Sequence, residues 1–380
     1  MAKEILKLIA AETAGESYQA HKIELDVETD TASRIDNQET RLENPRYGET
    51  KKFNGYISLK NFPVTSQVLT YFLDGSRHVY KIDEIAYRQS PARKMVYPLV
   101  AGQIAVGCCR RQNKKLHAEN FLTEIVLTLP DIANANDSSG FLPTLTQKIN
   151  ALSKVEISKI LEYNTVQNIE KNFEDLAVAK VQDTMYQAEQ NMVAALVAKS
   201  KLNQKNYLVK DGSLEYRIPP DIPKNSRRFL TFKNNFNYVI GVSKKFNPAL
   251  FTTNNRANPG FIAELPLYNR TPVICYENEI LHGDIKFAVW YLRIRDRKFT
   301  DSPFDGVLKI EKMLVAQDEI SSGVIDSEQV NFLSAQIINE RNPVCYGADN
   351  RWANHIYPIF LTETFIKSKF IAAETFLNLF

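Results

Sequence analysis

The chain has 380 residues, of which 24% are charged, 44% hydrophobic and 11% aromatic, with a net charge of +3. This composition is typical of globular proteins with enough apolar residues for more than one core, and it excludes disorder over the whole chain. A charge so near neutrality does not by itself indicate a nucleic-acid binder.

Neither a membrane segment nor a structural zinc site is expected. No apolar run reaches the length of about 18 residues that a spanning helix needs, and charges interrupt the first apolar stretch. The cysteines are Cys108, Cys109, Cys275 and Cys345, and none forms a CxxC pair. We therefore expect a soluble, cytoplasmic protein with buried thiols.

Residues 1–65 are predicted to form an N-terminal arm, and residues 66–380 one domain. The arm opens with a short amphipathic segment around Ile5, Leu6 and Ile9 and then becomes strongly polar. Such a segment is typical of a partner-docking arm or of a peripheral helix with a loop, and a solvated extension is an equal alternative.

The predicted elements from residue 66 onward begin with strands. Three β-branched and aromatic runs at 67–88, 94–111 and 120–129 predict consecutive antiparallel strands. A helical period over about 154–202 predicts one long helix or two nearly collinear ones. The later predictions are strands or strand-to-helix pairs at 206–218, 237–246, 272–283, 285–295 and 305–315, then helices at 326–342 and 357–380.

The tripeptide Asp-Gly-Ser occurs twice, as Asp74-Gly75-Ser76 and as Asp211-Gly212-Ser213. Either copy alone is typical of a tight hairpin. The order of elements is more informative: a strand with Asp, two strands, a long helix, a strand ending in Asp and another strand. This order predicts an α/β fold with an RNase H-like mixed sheet flanked by helices, an N-terminal arm and additional C-terminal helices.

In such a core the two aspartate strands are neighbours, so Asp74 and Asp211 are expected to lie close together, with a third carboxylate from the long helix. Like charges at this distance raise each other's pKa unless a cation offsets them. Oxygen ligands suit Mg²⁺ or Mn²⁺, and two ions could activate water and stabilise the leaving oxygen of a phosphodiester.

The sequence resembles the NurA nuclease family in four places over roughly residues 66–370. These are YFLDGSRHV at 71–79, YLVKDGSLEYR at 207–217, VIGVSKKF at 239–246, and Tyr357-Pro358 before the last helix. The resemblance implies a Mn²⁺-dependent DNase with an RNase H-like fold. It also implies a homodimer that works with a hexameric HerA-type ATPase, a DNA translocase, in DNA end processing or in phage defence.

The resemblance makes Asp74 the first metal ligand and Asp211 the second. The helical glutamate of the family matches best at Glu189, 22 residues before Asp211. Glu174 and Asp183 are alternative ligands. Glu189 could instead be an ordinary charged residue on a solvated helix face.

The resemblance also gives Lys244 and Tyr357 roles at the scissile phosphate, which Lys244 could stabilise electrostatically. An ordinary surface lysine is equally consistent with the sequence. The histidine that the family has eight residues after the tyrosine is replaced by Phe365. His355 is a candidate substitute, although a lone histidine is more often structural.

DNA contacts are predicted at five basic residues, and no base-reading motif is visible, so single-stranded DNA or unwinding ends are the expected substrate. The five residues are Arg77, Arg227, Arg228, Lys244 and Lys245. Two alternatives remain open at this point. One is a degenerate NurA-like subunit that binds DNA or a motor without cutting, and the other is an RNase H-like nuclease of the Argonaute or transposase type.

Overall fold

The computed structural model describes residues 2–25, 45–134, 139–165, 172–216, 223, 226–253, 256–277, 285–342 and 350–380. The strands are β1 Glu16–Ser17, β2 Ile23–Glu24, β3 Arg46–Tyr47, β4 Ile57–Ser58, β5 Leu69–Ser90, β6 Arg93–Gln112, β7 Lys115–Pro130, β8 Lys159–Tyr163, β9 Tyr207–Asp211, β10 Val239–Ser243, β11 Thr252–Thr253, β12 Arg256–Ala257, β13 Asn269–Arg270, β14 Ile274–Glu277, β15 Lys286–Arg293 and β16 Val307–Met313. The α-helices are α1 Ala2–Glu12, α2 Phe141–Leu152, α3 Phe173–Ala198, α4 Arg227–Asn235, α5 Pro259–Ala263, α6 Gln317–Ser322, α7 Ser327–Asn339, α8 Tyr357–Lys367 and α9 Ala373–Leu377. None of the described helices is both long and apolar enough to cross a membrane.

One large mixed sheet organises the molecule, with β5 in its middle. The strand order is β3-β14-β15-β16-β10-β9-β5-β6-β7-β8. β5, β6 and β7 form an antiparallel meander, whereas β9 runs parallel to β5 and β10 runs parallel to β9. This confirms the predicted fold class, an α/β mixed sheet flanked by helices with the order of an RNase H-like core.

Each face of the sheet packs against different helices, and alternation along a strand decides which side chain reaches which face. Leu73 of β5 belongs to the same core cluster as Val181 and Met185 of α3. Phe72, one residue earlier, clusters instead with residues of α7 and α8. We call these sides the α3 face and the α8 face. Asp74 therefore points to the α8 face.

Two glycines of β6 bring a helix close to each face. A Cβ at Gly102 would lie 2.5 Å from Val181 of α3, and a Cβ at Gly107 would overlap Ile366 of α8. A larger residue at Gly107 would require Ile366 to move. The absent side chain therefore sets how closely α8 crosses the sheet.

The strand predictions for β5, β6 and β7 are confirmed, and several details differ. Residues 159–163, predicted as part of a helix, form β8 and pair in parallel with β7, so α3 begins only at Phe173. Helix α2 was not predicted, and the C-terminal segment forms two helices rather than one. Strand β9 ends at Asp211, as the order of elements predicted, and Gly212 turns the chain there with φ of +84°.

The described parts of the N-terminal arm add to the sheet. Ile5 and Ile9 of α1 are buried, and β1 and β2 pair with the second half of β5. Further along, Glu49 forms a fully buried ion pair with Arg270 at 2.7 Å. Residues 26–44 lie outside the described residues. The boundary at residue 65 and the docking role of the arm stay predictions.

Candidate metal centre on the α8 face

Three carboxylates from three separate elements meet on the α8 face. Asp74 lies inside β5, opposite Gly107 of β6, and Asp211 ends the neighbouring strand β9. Glu363 reaches them from α8. One oxygen from each carboxylate lies within 4.8 Å of the others, and Asp74 is only 5% exposed. The strand order thus brings together the two aspartates that the motifs predicted.

Glu363 was missed by the sequence reasoning, although the helix carries a signal for it. Ile359 and Ile366 of α8 are buried, and Glu363 lies between them at helical spacing on the same stripe. Its side chain is only 12% exposed. An acidic residue on the buried stripe of an apolar helix requires a charged partner.

Lys244, which directly follows β10, provides a charged partner for this group. Its Nζ lies 2.9 Å from Asp211 Oδ2 and 3.3 Å from Glu363 Oε2. Burial alone would lower the pKa of Lys244, but the charges of Asp211, Glu363 and Asp74 outweigh it and raise that pKa above its usual value. The ammonium therefore stays protonated at neutral pH. We call Asp74, Asp211, Glu363 and Lys244 the α8-face cluster.

The cluster carries more negative than positive charge, and this imbalance perturbs Asp74. Burial first, and then the nearby charge of Asp211, raise the pKa of Asp74 well above its usual value. Three carboxylates and one ammonium, when ionised, leave two negative charges. Lys367 adds an outer contact to Glu363 at 2.7 Å, but this lysine is 45% exposed and screened by solvent.

The donor set fits a divalent cation. All three candidate ligands are carboxylates, the hard oxygen donors that Mg²⁺ and Mn²⁺ prefer, and the charge of a divalent ion matches the excess within the cluster. Asp74, Asp211 and Glu363 are the residues that could hold it. The choice of Mn²⁺ and the presence of two ions stay predictions.

Glu189 lies on the opposite side of the sheet, so the structure does not bring it into this group. Its Oε2 is 3.2 Å from Lys210 Nζ and accepts a hydrogen bond from Tyr216 Oη at 3.1 Å. Gly75, which points to the α3 face, leaves the space that Glu189 fills, since a Cβ there would be 2.5 Å from Glu189 Oε1. We call Glu189, Lys210 and Tyr216 the α3-face cluster.

The α3-face cluster supports the turn that follows Asp211. Lys210 Nζ donates to the backbone carbonyls of Asp211 and Ser213 at 2.9 and 3.0 Å. Burial raises the pKa of Glu189, while the adjacent Lys210 ammonium lowers it and offsets part of that rise. Through Lys210, the contacts of Glu189 therefore position the end of β9 from the α3 face, opposite the candidate metal centre.

The two alternatives to Glu189 lie elsewhere on α3. Glu174 is in the first turn of the helix and forms an ion pair with Lys81 at 2.9 Å. Asp183 is exposed. Neither joins the carboxylates of the α8 face.

The residues around the Tyr-Pro segment are spread over both ends of α8. Tyr357 begins the helix and is 41% exposed, six residues before Glu363. His355 is buried, and its ring stacks on Phe360 at 5.3 Å. Phe365 packs edge-on against Phe121 of β7 at 5.7 Å. The phosphate-positioning role of Tyr357 stays a prediction.

Of the five predicted DNA contacts, two lie next to the candidate metal centre. Lys245 is exposed and follows Lys244 in the chain. Arg77 is three residues after Asp74, so alternation places it on the α3 face. Arg227 and Arg228 are exposed in the first turn of α4, whose Phe229 packs in the core of the α3 face.

Comparisons with known proteins add distant structural similarity. No protein-family model matches the chain, and no curated protein matches it by sequence. Among solved structures it is similar to the NurA nuclease from Sulfolobus solfataricus, with a TM-score of 0.42 and 11% identity, over 82% of this chain and 81% of that one. An overlap this loose assigns neither a family nor an activity.

Proposed function

We propose that the protein is a divalent-metal-dependent deoxyribonuclease that hydrolyses phosphodiester bonds. The observation that carries the proposal is the meeting of Asp74, Asp211 and Glu363 within 4.8 Å beside the ammonium of Lys244, whose side chain is 13% exposed. Buried like charges are costly unless a cation offsets them, so their clustering favours a ligand site over a purely structural one. The paired Asp-Gly-Ser motifs are consistent with a nuclease of NurA type.

In this proposal the residues of the α8-face cluster have two different roles. Asp74, Asp211 and Glu363 would hold the ion, which when bound supplies Lewis-acid stabilisation of charge on a phosphoryl oxygen. Lys244 stabilises negative charge that develops on the phosphate during the reaction. Burial of Asp74 excludes water from its surroundings, which strengthens the electrostatic interactions of the cluster.

We further propose, from the resemblance of the motifs alone, that the substrate is DNA at single-stranded or unwound ends. On the same ground we propose a homodimer that acts with a hexameric HerA-type ATPase in DNA end processing or phage defence. Lys245 and the other predicted basic residues would then contribute sequence-independent attraction to phosphate.

A nuclease assay on linear single- and double-stranded DNA tests the function. The parent, Asp74→Ala and the control Asp183→Ala, which removes an exposed acid of α3, are compared in Mn²⁺, Mg²⁺ or EDTA, with and without a HerA-type ATPase. We expect metal-dependent cleavage by the parent and the control, and none by Asp74→Ala.

Two results would contradict the proposal. Cleavage by Asp74→Ala at the parental rate would show that the α8-face cluster is not the catalytic site. DNA binding without cleavage in every condition, including those with the ATPase, would favour the non-cutting docking subunit.

A further inference from the structure

A partly exposed aromatic ring lies on the same row of the sheet as Asp74. Asp74 of β5 pairs with Gly107 of β6, and Gly107 pairs with Phe121 of β7, so the three residues share the α8 face. Phe121 is 50% exposed. Two strand spacings, roughly 10 Å, separate it from Asp74.

Helix α8 connects this ring to the candidate metal centre. Along the helix, Glu363 meets Asp74, Ile366 covers Gly107, and Phe365 packs edge-on against Phe121. The same helix thus fixes both a carboxylate ligand and the aromatic ring that supports Phe121. The relative positions of Phe121 and the carboxylates are therefore set by packed elements rather than by a loop.

A cation lies over the two rings. Lys369 Nζ is 4.9 Å from the ring centre of Phe365 and 5.7 Å from that of Phe121. A partly exposed aromatic ring with an adjacent positive charge is the combination that binds single-stranded nucleic acid, since bases stack on the ring and phosphates contact the cation.

We propose that Phe121, supported by Phe365 and Lys369, forms a base-stacking subsite for single-stranded DNA whose backbone passes the α8-face cluster. The inference rests on the proposed nuclease function and specifies its substrate. Bases inside a duplex already have both faces stacked, so the ring can accept only an unpaired or splayed base. The subsite therefore favours single strands over intact duplex.

Binding in EDTA tests the subsite apart from cleavage. The probes are a fluorescein-labelled oligothymidylate, read by anisotropy, and the same oligonucleotide with one 2-aminopurine, whose fluorescence is quenched by stacking. We expect Phe121→Ala to bind about tenfold more weakly than the parent and to lose the quenching. Phe121→Trp should retain both.

Leu122→Ala is the matched control, because Leu122 is the next residue of β7, is 38% exposed and points to the opposite face. It should bind like the parent, and all variants should unfold at the parental temperature. Equal binding and equal quenching by Phe121→Ala and Leu122→Ala, or no binding by the parent, would overturn the subsite. Phe121-dependent binding by a parent that never cleaves would instead reject only the nuclease function.

Discussion

The two faces of the central sheet carry similar residues in opposite electrostatic situations. In the α3-face cluster one carboxylate, Glu189, meets one ammonium, Lys210, which also bonds two backbone carbonyls. In the α8-face cluster three carboxylates lie around the ammonium of Lys244, whose side chain is 13% exposed. Among the described residues the first arrangement is balanced by the protein itself, whereas the second has excess negative charge.

This difference separates a structural ion pair from a candidate ligand site. A buried pair whose hydrogen bonds are satisfied needs no further partner, and its main effect is to fix the local backbone. A cluster with uncompensated charge is stabilised by a cation that binds it. The side chains of Glu189 and Lys210 are 2% and 4% exposed and those of Asp211 and Lys244 are 18% and 13% exposed, so the α8-face cluster differs in charge balance and is also more accessible to an ion.

The largest effect is expected for Glu363→Gln, which removes one carboxylate charge from the α8-face cluster. We expect about a thousandfold loss of metal-dependent cleavage, because several kcal/mol of charge stabilisation depend on the bound cation. Mn²⁺ affinity, measured by isothermal titration calorimetry, should fall with it. Glu374→Gln, the same change at an exposed position of α9, is the control and should leave both unchanged. Parental activity in Glu363→Gln would exclude it as a ligand.

A second variant, Glu189→Gln, should affect stability rather than metal binding. It leaves Lys210, whose side chain is 4% exposed, without a carboxylate, at a cost of ~3–5 kcal/mol in the free energy of unfolding. Urea unfolding measures this loss, and Mn²⁺ affinity of the folded protein should stay parental. The double variant Glu189→Gln/Lys210→Met, in which neither charge remains, should regain much of the stability.

The opposite result for Glu189→Gln would support the prediction made from the motifs. A fall in Mn²⁺ affinity as large as that of Glu363→Gln, with the fold intact, would make Glu189 a ligand. The two faces would then form one site, and the comparison between them would fail.

Gly107→Ala tests whether the approach of α8 sets the geometry of the α8-face cluster. The added Cβ overlaps Ile366 and should cost ~1–3 kcal/mol through overpacking, while displacing Glu363 and slowing cleavage about tenfold. Gly140→Ala, where no atom lies within 4 Å of the added Cβ, is the control. Recovery of cleavage in Gly107→Ala/Ile366→Ala would assign the effect to this contact, and a failure to recover would reject it.

The sheet and two of the three candidate ligands follow from the sequence because they depend on local patterns and their order. β5, β6 and β7 are long runs with clear turn residues between them, and the long helix separates them from β9. Once β9 lies beside β5, Asp74 and Asp211 must be neighbours. Lys244 follows for the same reason, since β10 continues the parallel pairing.

The third carboxylate could not be predicted in the same way. β9 reads Tyr-Leu-Val-Lys-Asp, with apolar residues on both faces, so alternation does not show whether Asp211 or Lys210 faces α3. The place where α8 crosses the sheet depends on Gly107, more than 250 residues away in the chain. Long-range packing of this kind leaves no periodic pattern in the sequence. The available indication of the third ligand was an acidic residue, Glu363, on the buried stripe of α8.

Gly212→Ala, for which we expect the smallest effect, tests whether the α3-face cluster positions Asp211 on the α8 face. Gly212 has φ of +84°, and its N–H donates to Val242 O at 2.9 Å, while Lys210 holds the carbonyls on either side. Alanine at this φ costs about 1–2 kcal/mol.

Gly323→Ala is the matched control, since its φ of +68° carries a similar penalty at the end of α6. Both variants should lose similar stability in urea unfolding, but only Gly212→Ala should also slow cleavage, by several-fold, because the turn aims Asp211. Equal cleavage by the two variants would mean that the backbone at residue 212 does not control the position of the Asp211 carboxylate, and that the contacts of Lys210 stabilise the fold alone.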